Sequence, residues 1–305
     1  MRVVVTGGAG FVGSLLVPTL LEQGHSVLVV DDFFAGKEEY IPTTGDIRFV
    51  KGDIREDSEW VDAWKAFDPE WVVNLAAVHY IPYCNKNWQH TIDVNVGGFN
   101  RILELSKGAK VVVAASSAAV YGPNDDPHHE SEPMQPTDVY GLTKKINEDQ
   151  MEVWSRWNKV PVRAMRFFNI YGPRETNPHL IPEILLQAET RDDIQLGNLE
   201  TKRDFTFVGD IVSGVMAILN NLDPSVPYDF YNIGSGYEYN AREVTEALGA
   251  AMGRNLTAVS VPERYRPSDR MHLCANNAKL QTLGWKAEYD LERGVAELAE
   301  WLKSS

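Results

Sequence analysis

The sequence is poor in cysteine, in basic charge and in long apolar runs. Only Cys84 and Cys274 are present, too few for a disulfide framework and too far apart in sequence for a zinc site, so free thiols are expected. Lys and Arg number 29 against 43 Asp and Glu, a formal net charge of −14. That balance argues against a nucleic-acid partner or an anionic membrane surface, so any anionic ligand must be gripped locally. No apolar run reaches the ~18 residues that cross a bilayer, and the N-terminus enters a strand-like run without a signal-peptide pattern. A cytoplasmic protein is the expectation. His128 and His129 lie in a polar, proline-flanked loop with no third ligand at a recognisable spacing, so no metal is expected.

What the sequence does have is alternation. Valine-rich runs at Val3–Thr6, Val27–Asp31, Arg48–Lys51, Trp71–Leu75, Lys110–Ala115 and Val162–Phe167 suit strands buried on both faces. Between them, Phe11–Gln23, Ser58–Phe67, Ile92–Lys107 and Tyr140–Trp157 have helical character, and Gly24 closes the first. The pattern predicts an α/β fold, a Rossmann-type doubly wound parallel sheet. After Phe167 prolines punctuate the chain, and the pattern changes to short helices and the strand-like Arg203–Val208. A smaller, partly discontinuous α/β substrate domain over 169–305 is expected, with residues 1–168 forming the dinucleotide domain and 206–233 returning to it.

The first strand runs into Thr-Gly-Gly-Ala-Gly-Phe-Val-Gly. Gly7, Gly10 and Gly13 allow a tight turn, a close approach of backbone to a pyrophosphate, and close helix-on-strand packing, while the helix start offers free N–H donors. A ligand-free turn is the bland alternative. Asp31 follows Gly13 by eighteen residues, close to the ~20 expected of a carboxylate that binds the adenosine ribose. An acid there repels a 2′-phosphate, which favours NAD over NADP. Tyr140 and Lys144, four apart, project from one helix face. An ammonium and a cationic nicotinamide ring stabilise a tyrosinate, which can then take a proton from a hydroxyl.

Further motifs occur in order: Gly52–Ile54 (Gly-Asp-Ile), Asn74–Ala77 (Asn-Leu-Ala-Ala), Asn95–Gly98, Ser116–Gly122 (Ser-Ser-Ala-Ala-Val-Tyr-Gly), Tyr140–Lys144, Phe168–Arg174, Arg203–Asp210 and Arg266–Asp269. With the N-terminal glycine spacing, they make the chain resemble, over essentially its whole length, the extended short-chain dehydrogenase/reductases, the NAD-dependent nucleotide-sugar epimerases and dehydratases. The resemblance implies Ser117 as the hydroxyl donor beside Tyr140 and Lys144. It implies a cofactor site drawn from Gly7, Gly10, Phe11, Val12, Gly13, Asp31, Asp32, Asp53, Ile54, Leu75, Ala76, Ala77 and Asn95, with Tyr140 and Lys144 at the nicotinamide end. His79 belongs to that set as a diphosphate contact, to the sugar site, or to an ordinary hydrogen-bonded loop. For the nucleotide diphosphate of the substrate, Asn169, Arg174, Arg203, Arg266 and Asp269 are the candidates, with surface ion pairing the alternative for each arginine. A homodimer through the helices at 92–107 and 140–157 is also implied.

Within that family, dehydratases carry an Asp-Glu pair after the catalytic hydroxyl residue, and uronate decarboxylases usually carry a Glu. Ala118 and Ala119 stand here instead, and alanine cannot supply the acid that elimination needs. The expected activity is epimerisation at carbon 4 through a transient 4-keto sugar. A dehydratase with another acid such as His79, another keto-sugar transformation, and a non-catalytic NAD sensor are the competing readings. The intact Ser117, Tyr140 and Lys144 argue against the sensor.

Overall fold

A computed structural model describes residues 1–265 and 270–304. The chain forms two compact units, one of Met1–Gly122, Pro133–Arg166 and Val215–Tyr231, the other of Pro123–Glu132, Phe167–Gly214 and Asn232–Ser305. In the first, the valine runs become strands β1 (Arg2–Thr6), β2 (Ser26–Asp31), β3 (Ile47–Lys51), β4 (Trp71–Asn74), β5 (Val111–Ser117) and β6 (Val162–Phe167). Helices α1 (Gly13–Glu22), α2 (Glu59–Phe67), α3 (Ile81–Lys86), α4 (Trp88–Ile92), α5 (Phe99–Leu105) and α6 (Val139–Asn158) separate them. In chain order there follow β7 (Asn169–Tyr171), α7 (Leu180–Ala188), β8 (Asp193–Leu196), β9 (Lys202–Arg203), β10 (Phe205–Phe207), α8 (Val208–Asn220), β11 (Tyr228–Ile233), β12 (Tyr239–Asn240), α9 (Ala241–Met252), β13 (Thr257–Ser260), α10 (Ala278–Gln281) and α11 (Leu291–Ser304).

The large sheet has the order β11-β6-β5-β4-β1-β2-β3, with parallel pairing from β3 through β2, β1 and β4 to β5. Val3, Val4 and Val5 of β1 and Val111, Val112 and Val113 of β5 are all completely buried, as strands covered on both faces require. The order reverses between β1 and β4. Ligands of doubly wound sheets bind at the carboxyl ends of strands at that reversal, and here Thr6 donates from the end of β1 to Asn74 Oδ1 at the end of β4 (2.6 Å).

One predicted helix is divided. The stretch 92–107 is expected to be continuous, but the chain forms α4, then a π-helical turn over Asp93–Gly98, then α5. The extra residue in the turn accompanies an inward Asn95, whose amide donates to Val78 O (2.9 Å) and Thr143 Oγ1 (3.0 Å) and accepts from Val78 N (2.8 Å). Such π turns concentrate at functional sites. Gly98 follows because a Cβ there would lie 2.6 Å from Ile54 Cγ1.

The second unit is organised around Asp204, which is completely buried. Its carboxylate accepts from Ser235 Oγ (2.6 Å), Ser235 N (2.8 Å), Thr206 Oγ1 (2.9 Å), Gly236 N (2.9 Å) and Ala275 N (3.1 Å). It thereby ties the β9–β10 segment to two distant loops. A second acid, Asp210, accepts from Glu288 N (2.9 Å) and Tyr289 N (3.0 Å) and fixes the segment ahead of α11. Removing the Asp204 carboxylate leaves several buried donors unpaired, each costing roughly 1–3 kcal/mol. Asp204→Ala is therefore expected to lower unfolding stability by at least about 3 kcal/mol, read from the denaturant midpoint; an unchanged midpoint would show that the loops hold without it.

Candidate active site

The loop from β1 to α1 is shaped by contacts that a side chain would obstruct. Gly7 has φ +74°, and a Cβ on it would lie 2.7 Å from Ala76 N. Gly7 N donates to Val30 O (2.8 Å), Gly10 N to Gly7 O (3.2 Å), and Ser14 N to Gly10 O (2.8 Å). Because that last bond opens the helical ladder, the N–H groups of Phe11, Val12 and Gly13 stand ahead of it, where a helix start meets an anion. A Cβ on Gly13 would run into Gly7 O, so this helix can begin close to the strand only with glycine. This bare cradle fits a dinucleotide diphosphate.

Asp31 closes β2 nearly buried, accepting from Ala9 N (3.0 Å) and Phe33 N (2.8 Å). Burial raises its carboxyl pKa, against the pull of those two bonds. Asp32 is exposed and accepts from Phe34 N (2.9 Å). Beyond β3, Asp53 forms a bidentate pair with Arg55 (Nε to Oδ1 3.0 Å, Nη2 to Oδ2 2.5 Å), which holds its carboxyl below the usual range. Ile54 is buried in the sheet core. Leu75, Ala76 and Ala77 are half-buried after β4, with Leu75 N bonded to Thr6 O (2.9 Å). His79 is half-buried in the same connection, just before α3. Asn95 differs from these: its amide is spent on Val78 and Thr143, so it acts by holding the β4 connection against α6.

The catalytic candidates meet at the end of β5. Asp138 caps α6, accepting from Gly141 N (2.8 Å), and so sets where Tyr140 enters the first turn. Ser117 lies near enough to the Tyr140 phenol to favour its ionised form, and its Oγ accepts from Ala119 N (3.1 Å). Lys144, 1% exposed, donates to Ala115 O (2.8 Å), and its ammonium lies 5.7 Å from the Tyr140 ring centre. Burial pushes the Tyr140 phenol up, with Ser117 pulling it back. It pushes the Lys144 ammonium down to about 8, with Cys84 and Glu148 working the other way. Lys145 points off this face and pairs with Asp149 (2.8 Å). Ala118 and Ala119 are buried in a tight turn that brings no acid to the spot.

One neighbour of this group escapes sequence reasoning. Glu148, one turn beyond Lys144, is buried against Arg166 (Oε2 to Nη2 2.7 Å, Oε1 to Nε 2.9 Å). Ser116 (2.5 Å) and Tyr228 (3.0 Å) also donate to it, and Tyr121 accepts from Arg166 (2.8 Å). The only prior signal is the i, i+4 spacing from Lys144. Cys84 is completely buried in a small cluster with Val78, Val139 and Tyr140, and burial raises its thiol pKa, so it packs and does not react.

In the second unit, Asn169 sits half-buried on β7, its N–H on Asp204 O (3.0 Å), in parallel register with Phe205. Arg203 on β9 donates to Lys202 O (2.7 Å) and Arg270 O (2.8 Å). Arg174 adopts φ +70°, a left-handed conformation uncommon for a residue with a side chain. Arg266 and Asp269 lie outside the described residues. His128 bonds Glu132 (2.8 Å), and among the described residues no cluster of ligating side chains could hold a metal.

Comparison with known proteins agrees with this geometry. A UDP-glucose 4-epimerase of Mycolicibacterium smegmatis is 30% identical over 318 residues, covering 100% of this chain and 99% of that protein. The crystal structure of the Thermus thermophilus UDP-glucose 4-epimerase in complex with NAD superposes with a TM-score of 0.91 at 28% identity, covering 100% of both chains. That of the Thermotoga maritima UDP-glucose 4-epimerase with UDP-glucose gives 0.89 at 26% identity, covering 100% of this chain and 99% of that one. A glycine cradle at the sheet's reversal point and a Ser117–Tyr140–Lys144 group at the end of β5 thus accompany a family match over residues 3–234, and the chain belongs to the NAD dependent epimerase/dehydratase family.

Proposed function

We propose that the protein is an NAD-dependent nucleotide-sugar epimerase acting at carbon 4. The observation that carries this reading is Tyr140 beside Ser117 with Lys144 over its ring, and Ala118 and Ala119 where an elimination acid would stand. NAD, when bound, supplies the acceptor and then the donor of the hydride that leaves and returns to carbon 4, together with a positive ring. Gly7, Gly10 and the start of α1 would hold its diphosphate, and Asp31 its adenosine ribose. Tyr140 takes the proton of the sugar hydroxyl, Ser117 orients that oxygen, and Lys144 keeps the phenolate stable. The transient ketone turns over, and Tyr140 returns the proton to the new hydroxyl. Asn169, Arg174 and Arg203, with Arg266 and Asp269, are assigned to the nucleotide diphosphate.

A nucleotide sugar deuterated at carbon 4 tests the assignment. The expected product has unchanged mass, an inverted hydroxyl and the label retained. Loss of water would make the protein a dehydratase, and label lost to solvent would move the inversion to a carbon beside the ketone. Tyr140→Phe is expected to lower turnover by about 10²–10⁴-fold with nucleotide-sugar binding preserved.

Lys144 supports the phenolate only as the cation, and its proton is lost as pH rises through about 8. Turnover should therefore decline above that pH. Lys144→Arg, charged throughout, should remove the decline from the pH–rate profile even if its maximum falls; a wild-type rate flat to pH 10 would contradict this role.

A homodimer belongs to the same reading. Leu142, Val153 and Trp157 line one exposed stripe of α6, Trp157 being 82% exposed, and Trp88 is exposed on α4. Single exposed apolar residues are ordinary, but an aligned stripe marks an interaction face. Sedimentation should give a dimer that Val153→Lys with Trp157→Lys converts to monomer. The assigned compartment is the cytoplasm, where the buried thiols of Cys84 and Cys274 stay reduced.

A further inference from the structure

The segment between β2 and β3 carries two adjacent aromatic residues that the reaction does not use. Phe33 has φ +64° and turns its ring onto Phe49 (5.2 Å between centres). Phe34 points the opposite way, is 53% exposed, and meets Tyr83 edge-on at 5.5 Å and His90 at 5.4 Å. Tyr83 in turn bonds His90 Nδ1 through its hydroxyl (3.2 Å). The far end of the segment is anchored on the glycine loop, where Lys37 N donates to Ala9 O (3.0 Å) and a Cβ on Gly36 would lie 2.8 Å from that carbonyl.

Topology gives this contact its meaning. Phe34 follows β2, whereas Tyr83 and His90 lie on α3 and α4, which follow β4, and β1 lies between β2 and β4 in the sheet. A link from the end of β2 to the helices after β4 must therefore pass over the end of β1, where the glycine loop starts. Phe33, immediately before Phe34, holds the left-handed conformation. That conformation is disfavoured for a bulky residue and persists where surrounding contacts over-determine it.

We propose that Phe34, held by Tyr83 and His90, is a clasp that retains the dinucleotide in its groove. The proposal rests on the NAD reading above and adds residues to it. Release of the cofactor would require Phe34 to leave both rings. Because α3 packs Cys84 against the Tyr140 cluster and presents Tyr83 to Phe34, one short helix supports both the proton-transfer residue and the clasp. An epimerase must keep its cofactor between the two hydride steps, and a slow release serves that need.

The test is cofactor exchange in the purified holoenzyme, independent of turnover. Bound NAD is challenged with excess isotopically labelled NAD, and the retained nucleotide is counted after rapid desalting. Phe34→Ala should release NAD roughly tenfold faster, the scale of two lost aromatic contacts, with an unchanged melting curve once reloaded. Phe34→Tyr, which keeps the ring, should release at the wild-type rate. Exchange by Phe34→Ala at the wild-type rate would overturn the clasp and leave the cofactor assignment standing. A wild-type protein that neither carries nor takes up NAD would overturn both.

Discussion

The buried pair of Glu148 and Arg166 is the constraint on which the catalytic arrangement depends. Both side chains are almost wholly out of water, a situation that costs several kcal/mol per ion unless every lone pair and proton is used. Here Ser116 and Tyr228 complete the carboxylate and Tyr121 accepts from the guanidinium, which also lies 4.3 Å from the Phe230 ring centre. The consequence is geometric. Consecutive residues near the end of β5 bond different turns of α6, Ala115 with Lys144 and Ser116 with Glu148, and Ser117 follows beside Tyr140. The helix can neither rotate nor slide on the strand without unpairing a buried charge.

At the cofactor end the corresponding device is close backbone approach. Gly7 against Ala76 brings the ends of β1 and β4 together, and Asn95 holds the following connection to α6 through Thr143. The π turn that carries Asn95 thus links the connection after β4 to α6.

These contrasts explain what could be seen in the sequence. The glycine loop, the Asp31 ribose candidate and the Tyr140–Lys144 pair depend on local spacing, and so do valine strands buried on both faces; all were legible. Glu148 and Arg166 stand eighteen residues apart and meet only because β6 lies beside β5. Phe34 and Tyr83 meet only across β1, and the five donors around Asp204 come from three separate segments. Helical spacing alone does not separate a continuous helix from one with a π turn, because Gly97 and Gly98 fit either. The inward Asn95 becomes informative once its partners are known.

The electrostatics of the group then follow from burial. Tyr140 is driven toward the neutral phenol and Lys144 toward the neutral amine, because each sits where a charge is poorly solvated. Glu148 is already matched by Arg166, so it supplies Lys144 with little uncompensated negative charge. At neutral pH the counter-charge for a phenolate would come from Lys144 while it holds its proton. An oxidised nicotinamide ring, when bound, would add a second positive charge beside Lys144, so under the proposed reading Tyr140 would act as a base in the state that could also accept a hydride. Proton removal and oxidation would thereby be confined to the same loaded state, and Ala118 and Ala119 themselves supply no acid to divert the resulting ketone from reduction.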